Sequence, residues 1–178
     1  MLPRALTLFV LSLALSLGLA ACAGSGRLRV GQSDIDEILR VLGKPAQEWL
    51  AADGSRQLAF THGPMGTATE MAYLGADGRL LRIENVLTMQ TFNKVQPGMD
   101  QDAVLRLLGP SEPRWTVYFK ARDELVWEWL YCDDWNHLAR FDVLFDGSSQ
   151  RVRSTMTVQE SHMGNCGGRL GGSCWCSH

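Results

Sequence analysis

The sequence predicts an α+β fold built from two tandem repeats, and three observations carry that prediction. Residues 34–43 (Asp-Ile-Asp-Glu-Ile-Leu-Arg-Val-Leu-Gly) align without a gap on residues 100–109 (Asp-Gln-Asp-Ala-Val-Leu-Arg-Leu-Leu-Gly), with six of the ten positions identical. Self-similarity at one fixed spacing marks a duplicated supersecondary unit. After each of these segments the apolar residues recur with period two, the spacing of half-buried strands. Turn signals then separate the runs: Asp53-Gly54 and Asp77-Gly78 in the first copy, residues 121–123, 133–136 and Asp146-Gly147 in the second.

Each copy opens on a short amphipathic helix. Ile35, Ile38, Leu39 and Leu42 fall at i, i+3, i+4 and i+7, which is one helical stripe. Asp34 and Asp100 are placed as N-caps, and Met99 and Val104 are spaced as a hydrophobic staple. Gly43 and Gly109 supply the helix-ending residue, and Pro45 and Pro110 block continuation. The strands follow. Trp115, Val117 and Phe119 are expected to share one face, Leu125, Trp127, Trp129 and Tyr131 another, and Ala139, Phe141, Val143 and Phe145 a third. Val152, Met156 and Val158 are expected to close the set, with Arg151, Arg153 and Thr155 pointing the other way. Trp49 aligns with Trp115 at the offset of the repeat. Residues 87–95 are expected to form a helical connector.

Composition narrows the function. The chain has 178 residues, 46% hydrophobic and 20% charged, with a net charge of -2. That profile fits a globular protein and offers no basic footprint for nucleic acid. Met1-Leu2-Pro3-Arg4 is a basic start, followed by an uncharged, mostly apolar run and then Leu19-Ala20-Ala21-Cys22. Small residues before a cysteine resemble the lipobox of bacterial lipoproteins, so residues 1–21 are expected to be a signal peptide. By that resemblance Cys22 becomes the lipidated mature N-terminus, and Ala23 after it favours the outer membrane. Residues 22–27 then form a tether, residues 28–86 and 87–158 the two repeats, and residues 159–178 a flexible tail rich in glycine and cysteine.

The stretch from Phe92 through Gly98-Met99-Asp100 to Leu107-Leu108-Gly109-Pro110 resembles the SmpA/OmlA/BamE family of small outer-membrane lipoproteins. The family's segment is Gly-Met-Thr, a helix, then Leu-Gly-x-Pro. Asp100 exchanges one N-cap for another. In the first copy Leu42-Gly43-Lys44-Pro45 matches, while Gln32-Ser33 stands in place of Gly-Met. The resemblance implies a short helix pair packed on an antiparallel β-sheet in each repeat, and a role in outer-membrane β-barrel assembly through envelope protein partners. The tandem arrangement also resembles the β-lactamase inhibitory proteins, which implies as an alternative a periplasmic inhibitor or binding module.

No catalytic constellation and no cofactor motif stand out, and enzyme activity is not expected. His62 and His137 are the histidines of the body, and the Asp133-Asp134 pair beside His137 is accounted for by turn chemistry. Trp127 and Trp129 have the spacing of core residues. Trp135, lying at a turn, is the better candidate for partner contact, together with the Gly98, Met99 and Asp100 motif. Cys132, Cys166, Cys174 and Cys176 remain after lipidation, and in an oxidising compartment they are expected to form disulfides in one of three pairings. The tail thiols with His162 and His178 offer zinc or copper binding as an alternative, but their spacing matches no closed tetrahedral site, so disulfides are favoured and no metal ligands are assigned.

Overall fold

A computed structural model describes residues 27–63, 66–162 and 174–176. The signal segment, Cys22 and Cys166 lie outside the described residues. The chain forms two four-stranded antiparallel sheets with a few short helices, an α+β arrangement of two tandem units. Helix α1 (Ile35–Leu42) precedes sheet A, made of β1 (Gln47–Leu50), β2 (Arg56–Thr61), β3 (Thr69–Leu74) and β4 (Leu80–Asn85). Helices α2 (Met89–Phe92) and α3 (Gln101–Leu108) precede sheet B, made of β5 (Val117–Phe119), β6 (Glu124–Cys132), β7 (Leu138–Asp146) and β8 (Val152–Gln159). Both sheets are meanders in sequence order.

The duplication extends to individual hydrogen bonds. The Asp34 carboxylate accepts from the Glu37 N–H at 3.0 Å, and the Asp100 carboxylate accepts from the Ala103 N–H at 2.9 Å. Gly43 and Gly109 close their helices with φ of 82° and 72°, a left-handed conformation that favours glycine. Before each helix the chain bridges to the last hairpin of its own sheet. Leu80 N–H donates to the Ser33 carbonyl and Val152 N–H to the Met99 carbonyl. Arg79 donates to the Gln32 carbonyl at 2.6 Å, and Arg151 donates to the Gly98 carbonyl at 3.1 Å. Even the irregularity repeats. Register shifts at Tyr73/Leu74 in sheet A and at Leu144/Phe145 in sheet B leave Leu81 and Arg153 as the extra residues.

The helix pair is complete only in the second unit. In the first, a turn takes the place of the leading helix, with Ser33 N–H donating to the Arg29 carbonyl and Gly31, at a φ of 78°, inside it. The connector expected over residues 87–95 is helical only at Met89–Phe92, which Thr88 caps.

Two strand expectations are corrected. Trp115 does not lie in a strand as Trp49 does: Pro113 starts a short 3₁₀ turn, Pro113–Trp115, and β5 begins only at Val117. All three residues of β5 are exposed, so they bury no shared face. In β8 the extra residue Arg153 reverses the alternation, as a bulge must. Val152 lies across from Phe145, but Thr155 and Thr157 pair with Val143 and Phe141, and Met156 and Val158 pair with Asp142 and Arg140 on the opposite face. Strand β8 continues to Gln159, and Glu160 beyond it is buried.

The layers stack as α1, sheet A, α3, sheet B. Ile38 of α1 packs on Leu58, Phe60, Ala72, Leu74 and Leu80, one face of sheet A. The opposite face presents Trp49, Ala59 and Met71, which join Val104 and Leu108 of α3 and Trp129, Phe141, Val143 and Phe145 of sheet B in one core. Helix α3 therefore belongs to both units. The Trp49 indole donates to Asp102 at 3.2 Å, the Gln57 amide donates to the Arg106 carbonyl at 2.6 Å, and the Arg106 guanidinium sits 5.6 Å from the Trp49 ring centroid.

Candidate interaction surface

Gly98, Met99 and Asp100, singled out as a contact motif, make contacts within the chain, with Gly98 and Asp100 exposed. Gly98 has a φ of 89° and donates its N–H to Val152. Met99 packs, partly buried, against the main core. Asp100 caps α3 and lies 3.7 Å from the Arg151 guanidinium. The motif joins the helix start to the β7–β8 turn. Trp127 and Trp129 are core, as their spacing predicts: Trp129 is buried with its indole donating to the Gly109 carbonyl at 3.2 Å, and Trp127 packs on Phe145 at 4.7 Å between centroids.

Trp135 is different. It is 77% exposed at the tip of the β6–β7 hairpin. The tip is rigidly made. One oxygen of Asp133 accepts from the Trp135 N–H at 2.9 Å and from the His137 N–H at 2.7 Å, the other accepts from the Gln159 amide at 2.9 Å, and Asn136 sits at a φ of 63°. These hydrogen bonds hold the Asp133 carboxyl below the usual carboxylate range against the opposing effect of burial, which is the largest single influence on it. A second indole is brought to the same tip. Trp175 is 59% exposed, pairs with His137 as an isolated bridge and lies 4.5 Å from its ring. The Cys132–Cys176 disulfide, with 6.0 Å between Cα atoms, fastens this piece of tail, and the Leu138 N–H donates to the Cys174 carbonyl at 2.7 Å. Cys174 is disulfide-bonded as well. Residues 174–176 are thus built into the end of sheet B.

A charged cluster that sequence reading missed occupies the outer face of sheet B. Arg140 is paired with Glu128 at 2.5 Å and with Glu160, and its guanidinium lies 4.7 Å from the Trp115 ring centroid. Asp142, two residues along the same strand, has one carboxylate oxygen buried without a hydrogen-bond partner among the described residues. Burial, then the Glu128 charge, pushes its pKa up to about 6, against the pull of Arg140. Beside the cluster a cleft of about 270 Å³ runs between the two units, with Thr61, Thr69, Pro110, Trp115, Glu128 and Leu130 in its walls. The alternation of β7 does place Arg140 and Asp142 on one face. Glu160 and Trp115 arrive from distant segments, so no local pattern signals the cluster.

No described group of His, Cys, Asp and Glu side chains is arranged to hold a metal ion. No helix among the described residues is long and apolar enough to cross a membrane. Tandem αβ units with an aromatic tip define the molecule's class. No known family's sequence model matches the chain, and no curated protein matches it. Among solved structures, an extracellular protein containing a SCP domain from Bacillus anthracis str. Ames is matched at 10% identity and a TM-score of 0.28, over 79% of this chain and 48% of that one. The chain spans about half the length of that structure, and at that TM-score the likeness carries neither fold nor function across.

Proposed function

We propose that this chain is an outer-membrane lipoprotein, acylated at Cys22 and facing the periplasm, that acts by binding envelope proteins during β-barrel assembly. The observation that carries the reading is the rigid hairpin tip that holds Trp135 and Trp175 out in water. Indoles carried on a hydrogen-bonded backbone bring a large contact area for few rotatable bonds, which is why such residues anchor interfaces. The lipobox-like Leu19-Ala20-Ala21-Cys22 supports the anchor, and the Cys132–Cys176 disulfide fits an oxidising compartment. Tethering raises the local concentration of such a module near its partner.

Two variants test the reading in cells. Cys22→Ser leaves the protein without acyl groups and moves it out of the membrane fraction. Trp135→Ala lowers cross-linking to the barrel-assembly machinery by about tenfold or more, the size of a central aromatic anchor, without lowering the thermal midpoint. Undiminished cross-linking of Trp135→Ala, no contact with that machinery, or capture of a soluble hydrolase in its place overturns the proposal.

A further inference from the structure

The two copies of the duplicated helix have the same outward residues and different surroundings. On α3 the outward stripe is Asp102, Leu105, Arg106 and the closing Gly109, and it is docked on sheet A. Asp102 takes the Trp49 indole N–H, Arg106 sits over that indole, and the Arg106 carbonyl takes the Gln57 amide. A Cβ at Gly109 would come within 2.8 Å of the Thr69 Cγ2 and 3.2 Å of the Ala59 Cβ, so the helix end lies directly against the sheet. On α1 the same stripe reads Asp36, Leu39, Arg40 and Gly43. Here Leu39 is 37% exposed, and a Cβ at Gly43 would meet nothing within 4 Å. Val41, whose counterpart Leu107 packs partly buried against the core, is exposed at 38%.

The other end of the stack differs in its residues. Trp115, which aligns with Trp49, already carries the Arg140 guanidinium of its own sheet. The alternation of helix and sheet thus reaches α1 with the outward stripe of the duplicated helix uncovered. We infer that the outward face of α1 is a docking site for an antiparallel β-sheet face of another protein, seated as sheet A seats on α3. The partner presents an indole to Asp36 and Arg40 and a small residue against Gly43. Pairing of this kind repeats an interface the chain already makes, with the same acid, cation and glycine in the same places. The inference rests on the reading of this protein as a binding module, and on neither the acyl anchor nor the barrel-assembly role.

Photo-cross-linking in the cells that make the protein tests it, with benzoylphenylalanine placed at Leu39, Val41 or Trp135 of the full chain. The expected result is an adduct at positions 39 and 41 in which the partner's cross-linked residues are two apart on one strand. The double substitution Asp36→Asn, Arg40→Gln should lower that adduct about tenfold and shift the thermal midpoint little, because both residues are exposed and no charge is placed against the helix dipole. Adducts to lipid, to a helix or loop of the partner, or to a second copy of this chain overturn the inference. An adduct at position 135 with none at 39 or 41 overturns it while sparing the binding-module reading; no adduct at any of the three overturns both.

Discussion

Asp142 and Asp146 lie four residues apart on β7 and respond to pH in opposite senses. Burial and the neighbouring Glu128 raise the Asp142 pKa from 3.8 to about 6, with Arg140 opposing and Glu160 adding to the rise. Between those two values the folded protein holds a proton that the unfolded chain releases. Stability therefore falls as pH rises through that window, and the ionised carboxylate weighs on the fold at all higher pH. Asp142→Asn is expected to raise the thermal midpoint at pH 8 and to lose that advantage as the pH approaches 4. Asp146 is the reverse. The Ser149 backbone N–H, the Arg153 guanidinium and the Ser149 hydroxyl lower its pKa to about 2. Its contribution is present above pH 3.8 and fades toward pH 2, so Asp146→Asn lowers the midpoint at pH 7 and matches the parent near pH 2. Thermal melts of both variants from pH 2 to 8 check the pair; shifts that ignore pH would refute the linkage.

At the scale of elements, the two helices form an internal control. Gly43→Ala strains only a backbone with a φ of 82°, costing about 1 kcal/mol. Gly109→Ala adds a steric conflict with Thr69 and Ala59, and overpacking brings the loss to about 2–4 kcal/mol. Thr69→Ser, which removes the offending Cγ2, should recover part of the loss in the Gly109→Ala background and none in the Gly43→Ala one. Equal losses at the two glycines, measured by denaturant titration, would mean that α3 does not press on sheet A. The helices were readable in the sequence because each start, stripe and stop is local: an aspartate cap, apolar residues at helical spacing, a glycine and then a proline. Strand β7 was readable for the same reason, since Ala139, Phe141, Val143 and Phe145 alternate without interruption. Strand β8 was not. A single extra residue at Arg153, visible only against its partner strand, reverses the side on which Thr155 and Met156 point. The Trp135 tip was legible from its turn chemistry. The second indole there was not, because Trp175 reaches the hairpin only through the Cys132–Cys176 disulfide, and spacing left three pairings open.

At the scale of the molecule, the sharing of α3 decides how the protein unfolds. A unit of about 60 residues is marginal alone, because it buries too small a fraction of its surface. Were sheet B to unfold and take α3 with it, sheet A would expose Trp49, Ala59 and Met71, now buried, and would lose the hydrogen bonds of Trp49 and Gln57. Were sheet A to unfold first, Val104 and Leu108 would keep sheet B, but the outward side of α3 would be stripped. Each half-unfolded state therefore exposes apolar surface that the folded state covers, and the two units are expected to unfold in one transition. Met71→Ala tests this from a distance. Met71 is fully buried in sheet A, and its truncation costs about 2–4 kcal/mol. If unfolding is shared, the slowest-exchanging amides of β7, in the other sheet, lose protection by the same factor as those of β3, roughly 30- to 1000-fold. Loss confined to β3, with β7 exchanging as in the parent protein, would show two independent units lying side by side and would remove the shared helix from the explanation of stability.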